Sequence, residues 1–287
     1  MPELTDLSYV RALCEKYDFA LSKGFGQNFI VNPGLPPKIV DASGVDKRYG
    51  VLEIGPGIGA LSHELCERAG KVVAVELDKT LLPILDETMA RFDNFEVVSA
   101  DILKTDISAL VREKFAGLTP IVCANLPYNI TTPAITALIE SKCFENITVL
   151  VQKEVAERLC AAPGTSAYGA FSVFMQYYTE PEYLFAVPRE CFEPQPKVTS
   201  AVLRAVVRRE PPVEVEDEKF FFRVVYAAFA LRRKTLVNSL MTAFGSQLTK
   251  EQVTQAVTSC GLEANIRGER LGLSEFAALS AEIAALL

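Results

Sequence analysis

The sequence predicts an α/β protein: a doubly wound, mainly parallel sheet with an antiparallel edge hairpin, then a small all-helical C-terminal domain. Three observations lead there. Short apolar runs alternate with amphipathic segments from residue 50 to about 160. A glycine-rich turn comes after the first of those runs, and no strand signal remains from Lys219 onward.

An N-terminal helical segment is expected before the sheet. Val51 to Ile54 then forms a short buried strand. Gly55-Pro56-Gly57-Ile58-Gly59 turns the chain into a helix over Ala60 to Ala69, with Leu61 and Leu65 on one face. Further strands are expected at Lys71 to Val75, Phe95 to Ser99, Pro120 to Ala124 and Ile147 to Val151. Helices alternate with them over Leu81 to Arg91, Ile107 to Phe115, Pro133 to Ile139 and Lys153 to Cys160. Tyr183 to Val187 and Val198 to Val207 flank a Pro-rich turn and read as the edge hairpin. Prolines and charges from Arg208 to Glu218 break the pattern, which places a domain boundary between 1–210 and 211–287.

Composition narrows the function. A chain of 287 residues, 49% hydrophobic and 23% charged, can bury a large core in two domains. Its amino terminus, Met1-Pro2-Glu3-Leu4-Thr5-Asp6, has acids where a secretory signal needs a basic start, so a cytoplasmic protein is expected. Phe220 to Leu231, the longest apolar segment, is interrupted by Arg223 and is too short to span a bilayer. The seven cysteines include no C-x-x-C pair, which argues against a disulfide framework and a zinc site, and no metal is expected. His63 is the only histidine, so serine-triad and histidine-base chemistry lack their usual component.

The glycine loop and the acidic residues at the strand ends around it point to a nucleoside cofactor. Glu76 ends the second strand about twenty residues beyond the first glycine, where a carboxylate can take two ribose hydroxyls. A dinucleotide site prefers G-x-G-x-x-G, whereas this loop is G-x-G-x-G. Glu53, just before it, is unwelcome to a pyrophosphate and suits a sulfonium and an amino group. S-adenosyl-L-methionine is therefore favoured over NAD, within a Rossmann-like sheet. Asp101, at the third strand end, is either an acceptor for the cofactor's adenine amine or a helix cap. Glu76, Asp101 and Asn125 fall at three successive strand ends, where ligands bind in open α/β sheets.

Asn125-Leu126-Pro127-Tyr128 suggests the reaction. Adenine N6 is a poor nucleophile because its lone pair is delocalised into the ring. The Asn125 side-chain oxygen and the Leu126 or Pro127 carbonyl can accept both N6 hydrogens and aim that lone pair at an electrophile. Tyr128 can stack on an extruded base. The alternative is a strand end followed by a Pro-Tyr turn.

Set beside the glycine loop, these residues resemble the ribosomal RNA adenine N6-dimethyltransferase family, in its small-subunit branch. The resemblance runs nearly end to end. Lys23-Gly24-Phe25-Gly26-Gln27-Asn28-Phe29 is similar to that family's first motif, which implies cofactor contacts at Asn28 and Ile30. Glu53 to Ser62 resembles its cofactor loop, which implies contacts at Gly55 and Gly57, and Glu76, Asp101 and Asn125 match its remaining cofactor positions. Phe192-Glu193-Pro194-Gln195-Pro196-Lys197-Val198 resembles the target-base loop and implies a second aromatic wall, Phe192, opposite Tyr128; a Pro-rich turn with a buried Phe is the other reading. Leu231 to Leu236 and Arg267 to Leu271 resemble the small-subunit branch rather than relatives that methylate large-subunit RNA.

The resemblance implies dimethylation of N6 on two adjacent adenosines in a loop near the 3′ end of 16S rRNA. A monomer is expected. A binding-class rival, which can coexist with methylation, is a role chiefly in late small-subunit assembly. DNA adenine methylation is the nearest enzymatic rival. RNA contacts are expected from Lys23, Lys197, Arg232, Arg233 and Lys234, with Arg204, Arg208 and Arg209 as a further basic group. The family pattern departs at the overall charge of -7 and pI of about 5.1. Such a balance suggests an immature small ribosomal subunit as the partner, supplying contacts beyond naked RNA.

Overall fold

The computed structural model describes residues 4–19 and 28–287. The chain runs through α1 (Leu7–Lys16), β1 (Phe29–Ile30), α2 (Leu35–Ser43), β2 (Tyr49–Ile54), α3 (Ala60–Arg68), β3 (Lys71–Glu76), α4 (Leu82–Thr88) and β4 (Phe95–Ser99). It continues with α5 (Ile107–Lys114), β5 (Thr119–Asn125), α6 (Thr131–Glu140), β6 (Asn146–Gln152), α7 (Lys153–Leu159), α8 (Ala170–Tyr178), β7 (Thr179–Val187), β8 (Phe192–Glu193) and β9 (Ser200–Val207). Four helices close it: α9 (Glu218–Phe229), α10 (Leu236–Phe244), α11 (Lys250–Ser259) and α12 (Leu273–Ala284).

Seven strands form one sheet in the order β4-β3-β2-β5-β6-β9-β7. Pairs β4–β3, β3–β2, β2–β5 and β5–β6 are parallel, and β9 runs antiparallel to β6. This is the expected Rossmann-like sheet with an antiparallel edge. The central strands are covered on both faces, so Val51, Leu52, Val72, Val73, Ile121 and Val122 are all buried and read as continuous apolar runs rather than alternating ones. The order reverses between β2 and β5, and the carboxyl ends of these strands flank a crevice suited to a ligand.

Two differences from the sequence-based expectation have physical causes. β7 begins at Thr179, four residues before the expected Tyr183, and includes Pro181. It is an edge strand, where a residue lacking an N–H costs no ladder bond on the open side. The second difference is a separate two-stranded antiparallel sheet, β1 with β8, pairing Phe29 with Glu193 and Ile30 with Phe192.

The chain divides into two compact units, residues 1–156 with 182–207, and residues 157–181 with 208–287. A single cut at 210/211 does not describe this division, because 157–181 groups with the helices. The reason is aromatic packing: Phe174 and Tyr178 of α8 pack on Phe222 of α9 at 5.7 Å each, and Tyr177 packs on Phe221 at 5.2 Å. Side-chain caps start three of the four closing helices: Asp217 accepts from the Phe220 amide, Thr235 from that of Asn238 and Thr249 from that of Gln252. None of the described residues beyond Val207 is in a strand. Among the described residues, no helix is long and apolar enough to cross a membrane.

Candidate functional site

A cavity opens at the carboxyl ends of β2, β3 and β5. Its walls include Asn28, Ile30, Gly55, Gly57, Glu76, Asp101 and Asn125, all seven positions expected to contact a cofactor, together with Leu126 and Pro127. Glycine is needed in the loop for conformation and for space. Gly55 and Gly57 have φ of +67° and +60°. A Cβ on Gly57 would meet the Phe29 ring at 3.0 Å, and one on Gly55 would meet Pro127 at 3.3 Å, so the glycine loop backs directly onto the Asn125 to Tyr128 segment.

Three carboxylates line the cavity. Glu76 is 6% exposed, and one of its oxygens accepts from the Asp78 amide at 2.8 Å. Burial pushes its carboxyl above the usual range, while the Asp78, Gly57 and Leu77 amides act against that shift. Asp101 caps the turn at Ile102–Lys104, its Oδ1 accepting from Leu103 N at 3.0 Å, and it also lines the cavity. Glu53 is 1% exposed, and its Oε2 has no hydrogen-bond partner among the described residues; nor has the nearby Ser62 hydroxyl. Burial lifts the Glu53 carboxyl from 4.5 to about 8, and the Glu76 charge raises it further.

These residues fit S-adenosyl-L-methionine. An orphaned buried carboxylate oxygen beside the cavity suits a cation. Glu76 at the end of β3 suits ribose hydroxyls, and Leu77 and Leu103, 54% and 41% exposed on the cavity wall, offer apolar faces to a flat base. Leu103 was not legible as a site residue, because an apolar residue in a short turn carries no signal of its own. Leu77 had one, its position directly after Glu76.

In the Asn125 to Tyr128 segment, the Asn125 side-chain nitrogen donates to the Asn28 carbonyl at 3.2 Å. The Pro127 carbonyl is engaged by Ile130 N at 3.1 Å and by the Thr131 hydroxyl at 3.3 Å. No donor among the described residues reaches the Leu126 carbonyl, so of the two carbonyls left open by the sequence, that of Leu126 is the available acceptor. Tyr128 does not line the cavity, although Pro127, Asn129 and Ile130 around it do. It is half-buried, with its hydroxyl 2.5 Å from that of Ser200.

Phe192 departs from the expectation of an aromatic wall. It is 1% exposed within the apolar core that also holds Ile30 and Val202, and it does not line the cavity. Its pairing with Ile30 in the small sheet turns it inward. Among the basic candidates, Lys23 lies outside the described residues. Lys197, Arg233 and Lys234 are exposed. Arg232 is engaged within the helical unit, donating to the Ser166 carbonyl at 2.7 Å with Glu269 at 3.7 Å. Arg204 and Arg208 are likewise paired, with Glu182 at 3.2 Å and Glu180 at 2.8 Å.

Comparison with known proteins agrees with this geometry. The chain is 48% identical over 273 residues to the ribosomal RNA small subunit methyltransferase A of Geobacillus sp. (strain WCH70), covering 94% of each chain. It is 49% identical over 280 residues to the protein of the same name from Streptococcus gordonii, covering 96% of this chain and 97% of that one. Among solved structures, the 23S rRNA methyltransferase ErmE superposes with a TM-score of 0.67 at 25% identity, covering 90% of this chain and 100% of that one. A dimethyladenosine transferase from Plasmodium falciparum superposes with a TM-score of 0.74 at 24% identity, covering 90% and 98%, and speaks for the fold. The family model for ribosomal RNA adenine dimethylase matches residues 19–282, and with relatives this similar along nearly the whole chain, the protein belongs to that family.

Proposed function

We propose that the protein dimethylates N6 of two adjacent adenosines in a loop near the 3′ end of 16S rRNA, with S-adenosyl-L-methionine as methyl donor. The observation that carries this reading is the pair of acceptors at the cavity: the Asn125 side-chain oxygen, its nitrogen already committed to Asn28, and the Leu126 carbonyl. Two such acceptors hold both hydrogens of an exocyclic amine.

When bound, the cofactor supplies an electrophilic methyl group on a sulfonium. Glu76, Asp101 and the glycine loop hold its nucleoside. Asn125 and Leu126 orient N6 and draw its lone pair out of conjugation, so that positioning carries most of the rate and no strong base is needed. The proton lost after transfer passes to water. Tyr128 stacks on the extruded adenine, which a loop presents without the cost of opening a duplex.

The substrate proposed is an immature small subunit in the cytoplasm, met by a monomer that also acts in late subunit assembly. The net charge of -7 supports a particle over naked RNA, since phosphate contacts must come from local groups such as Lys197, Arg233 and Lys234. Label transfer from S-adenosyl-L-methionine to small subunits, naked 16S rRNA and adenine-containing DNA, compared in one assay, tests this. Subunits should be methylated fastest; DNA as the best substrate would overturn the reading.

A further inference from the structure

Tyr128 is held at both ends. At the backbone, its carbonyl accepts from the Thr131 hydroxyl at 3.3 Å and its neighbour Pro127 closes the turn with Ile130. At the far end of the ring, its hydroxyl meets the Ser200 hydroxyl at 2.5 Å. Ser200 is fully buried at the start of β9, in register with Gln152 of β6, so its position is set by the sheet. It does not line the cofactor cavity. Burial raises the Tyr128 phenol above its ordinary value of 10, which keeps it protonated and able to donate.

A hydrogen bond at the tip of a tyrosine fixes the torsion about Cα–Cβ, because rotation there carries the hydroxyl away from its partner; the hydroxyl oxygen lies on the Cβ–Cγ axis, so the ring plane is oriented instead by the preference of the phenolic O–H to lie in it. The partner here is the first residue after the 194–199 turn that carries Lys197. We propose that Ser200 is a positioning residue for methyl transfer, its hydroxyl holding the ring of Tyr128 in the pose that receives the target adenine. The inference rests on the reading of Tyr128 as the stacking wall. The second transfer should depend on this bond more than the first. A monomethylated N6 has one hydrogen left, and its methyl must point away from the donor, so fewer poses of the base are productive.

The test uses small ribosomal subunits as substrate and compares S200A, Y128F, the double variant and Y128A. S200A and Y128F should each slow transfer about tenfold and raise the share of N6-monomethyladenosine. The double variant should be no slower than either single one, since both remove the same bond. Affinity for S-adenosyl-L-methionine should stay within about twofold of wild type. Wild-type rate and product ratio in S200A and Y128F, or losses that multiply in the double variant, would overturn the proposal. Should S200A fail to fold, by its melting temperature, Y128F alone decides, because it leaves the sheet untouched. Y128A separates the two levels: wild-type transfer there removes the stacking reading itself, whereas loss there with normal S200A and Y128F removes only the role of Ser200.

Discussion

The side-chain nitrogen of Asn125 donates to the backbone carbonyl of Asn28 across 97 residues of sequence, at 3.2 Å. With its donor end anchored on the cavity wall, the amide presents its oxygen as an acceptor. The Asn28 carbonyl thereby orients the Asn125 amide.

Asn125→Ala should therefore lower methyl transfer about a thousandfold or more, by analogy with loss of a preorganised transition-state contact. Affinity for S-adenosyl-L-methionine should fall about tenfold at most, since Glu76, Asp101 and the glycine loop remain. Equilibrium binding and single-turnover transfer measure the two separately. Equal losses in both would contradict the assigned role.

Glu53 gives a pH dependence whose sign is set by burial. Its carboxyl rises from 4.5 to about 8 on folding. A group raised in the folded state contributes stability that is fully present below pH 4.5 and is lost as pH climbs toward 8. Melting temperatures of Glu53→Gln should lack this decline, so that the variant gains on wild type steadily across that window. A cationic cofactor favours the ionised form, and wild-type affinity for it should rise with pH over the same range. Parallel melting profiles for the two proteins would contradict an uncompensated carboxylate at this site.

The basic segment of the helical unit should split by residue. Arg233→Ala and Lys234→Ala should weaken binding to small subunits and each reduce the slope of log affinity against log salt by about one, with melting unchanged. Arg232→Ala should lower the melting temperature, because its guanidinium ties the Ser166 carbonyl into the helical unit. Equal salt slopes in wild type, Arg233→Ala and Lys234→Ala would remove this segment from the RNA contact.

The features legible in the sequence are local. The strand, the glycine turn and the acid after them are short-range patterns, and all three appear in place, as do Asp101 and Asn125 at successive strand ends. The features it hid depend on partners distant in the chain. Phe192 is turned inward by a two-residue pairing with β1, too short to leave a periodic signal. Arg232 sits in a run of three exposed cations and is told apart from its neighbours by partners distant in the chain, the Ser166 and Tyr168 carbonyls and the Glu269 carboxylate. The choice of Leu126 over Pro127 as acceptor rests on turn bonds from Ile130 and Thr131, which the order of residues alone did not specify.

The most direct measurement is nucleoside mass spectrometry on small subunits from a strain lacking this enzyme, after incubation with the protein and labelled S-adenosyl-L-methionine. N6,N6-dimethyladenosine at two adjacent adenosines near the 3′ end of 16S rRNA is the expected result. Subunits that stay unlabelled while the protein binds S-adenosyl-L-methionine would contradict the account, leaving the cofactor site intact and its ribosomal target wrong.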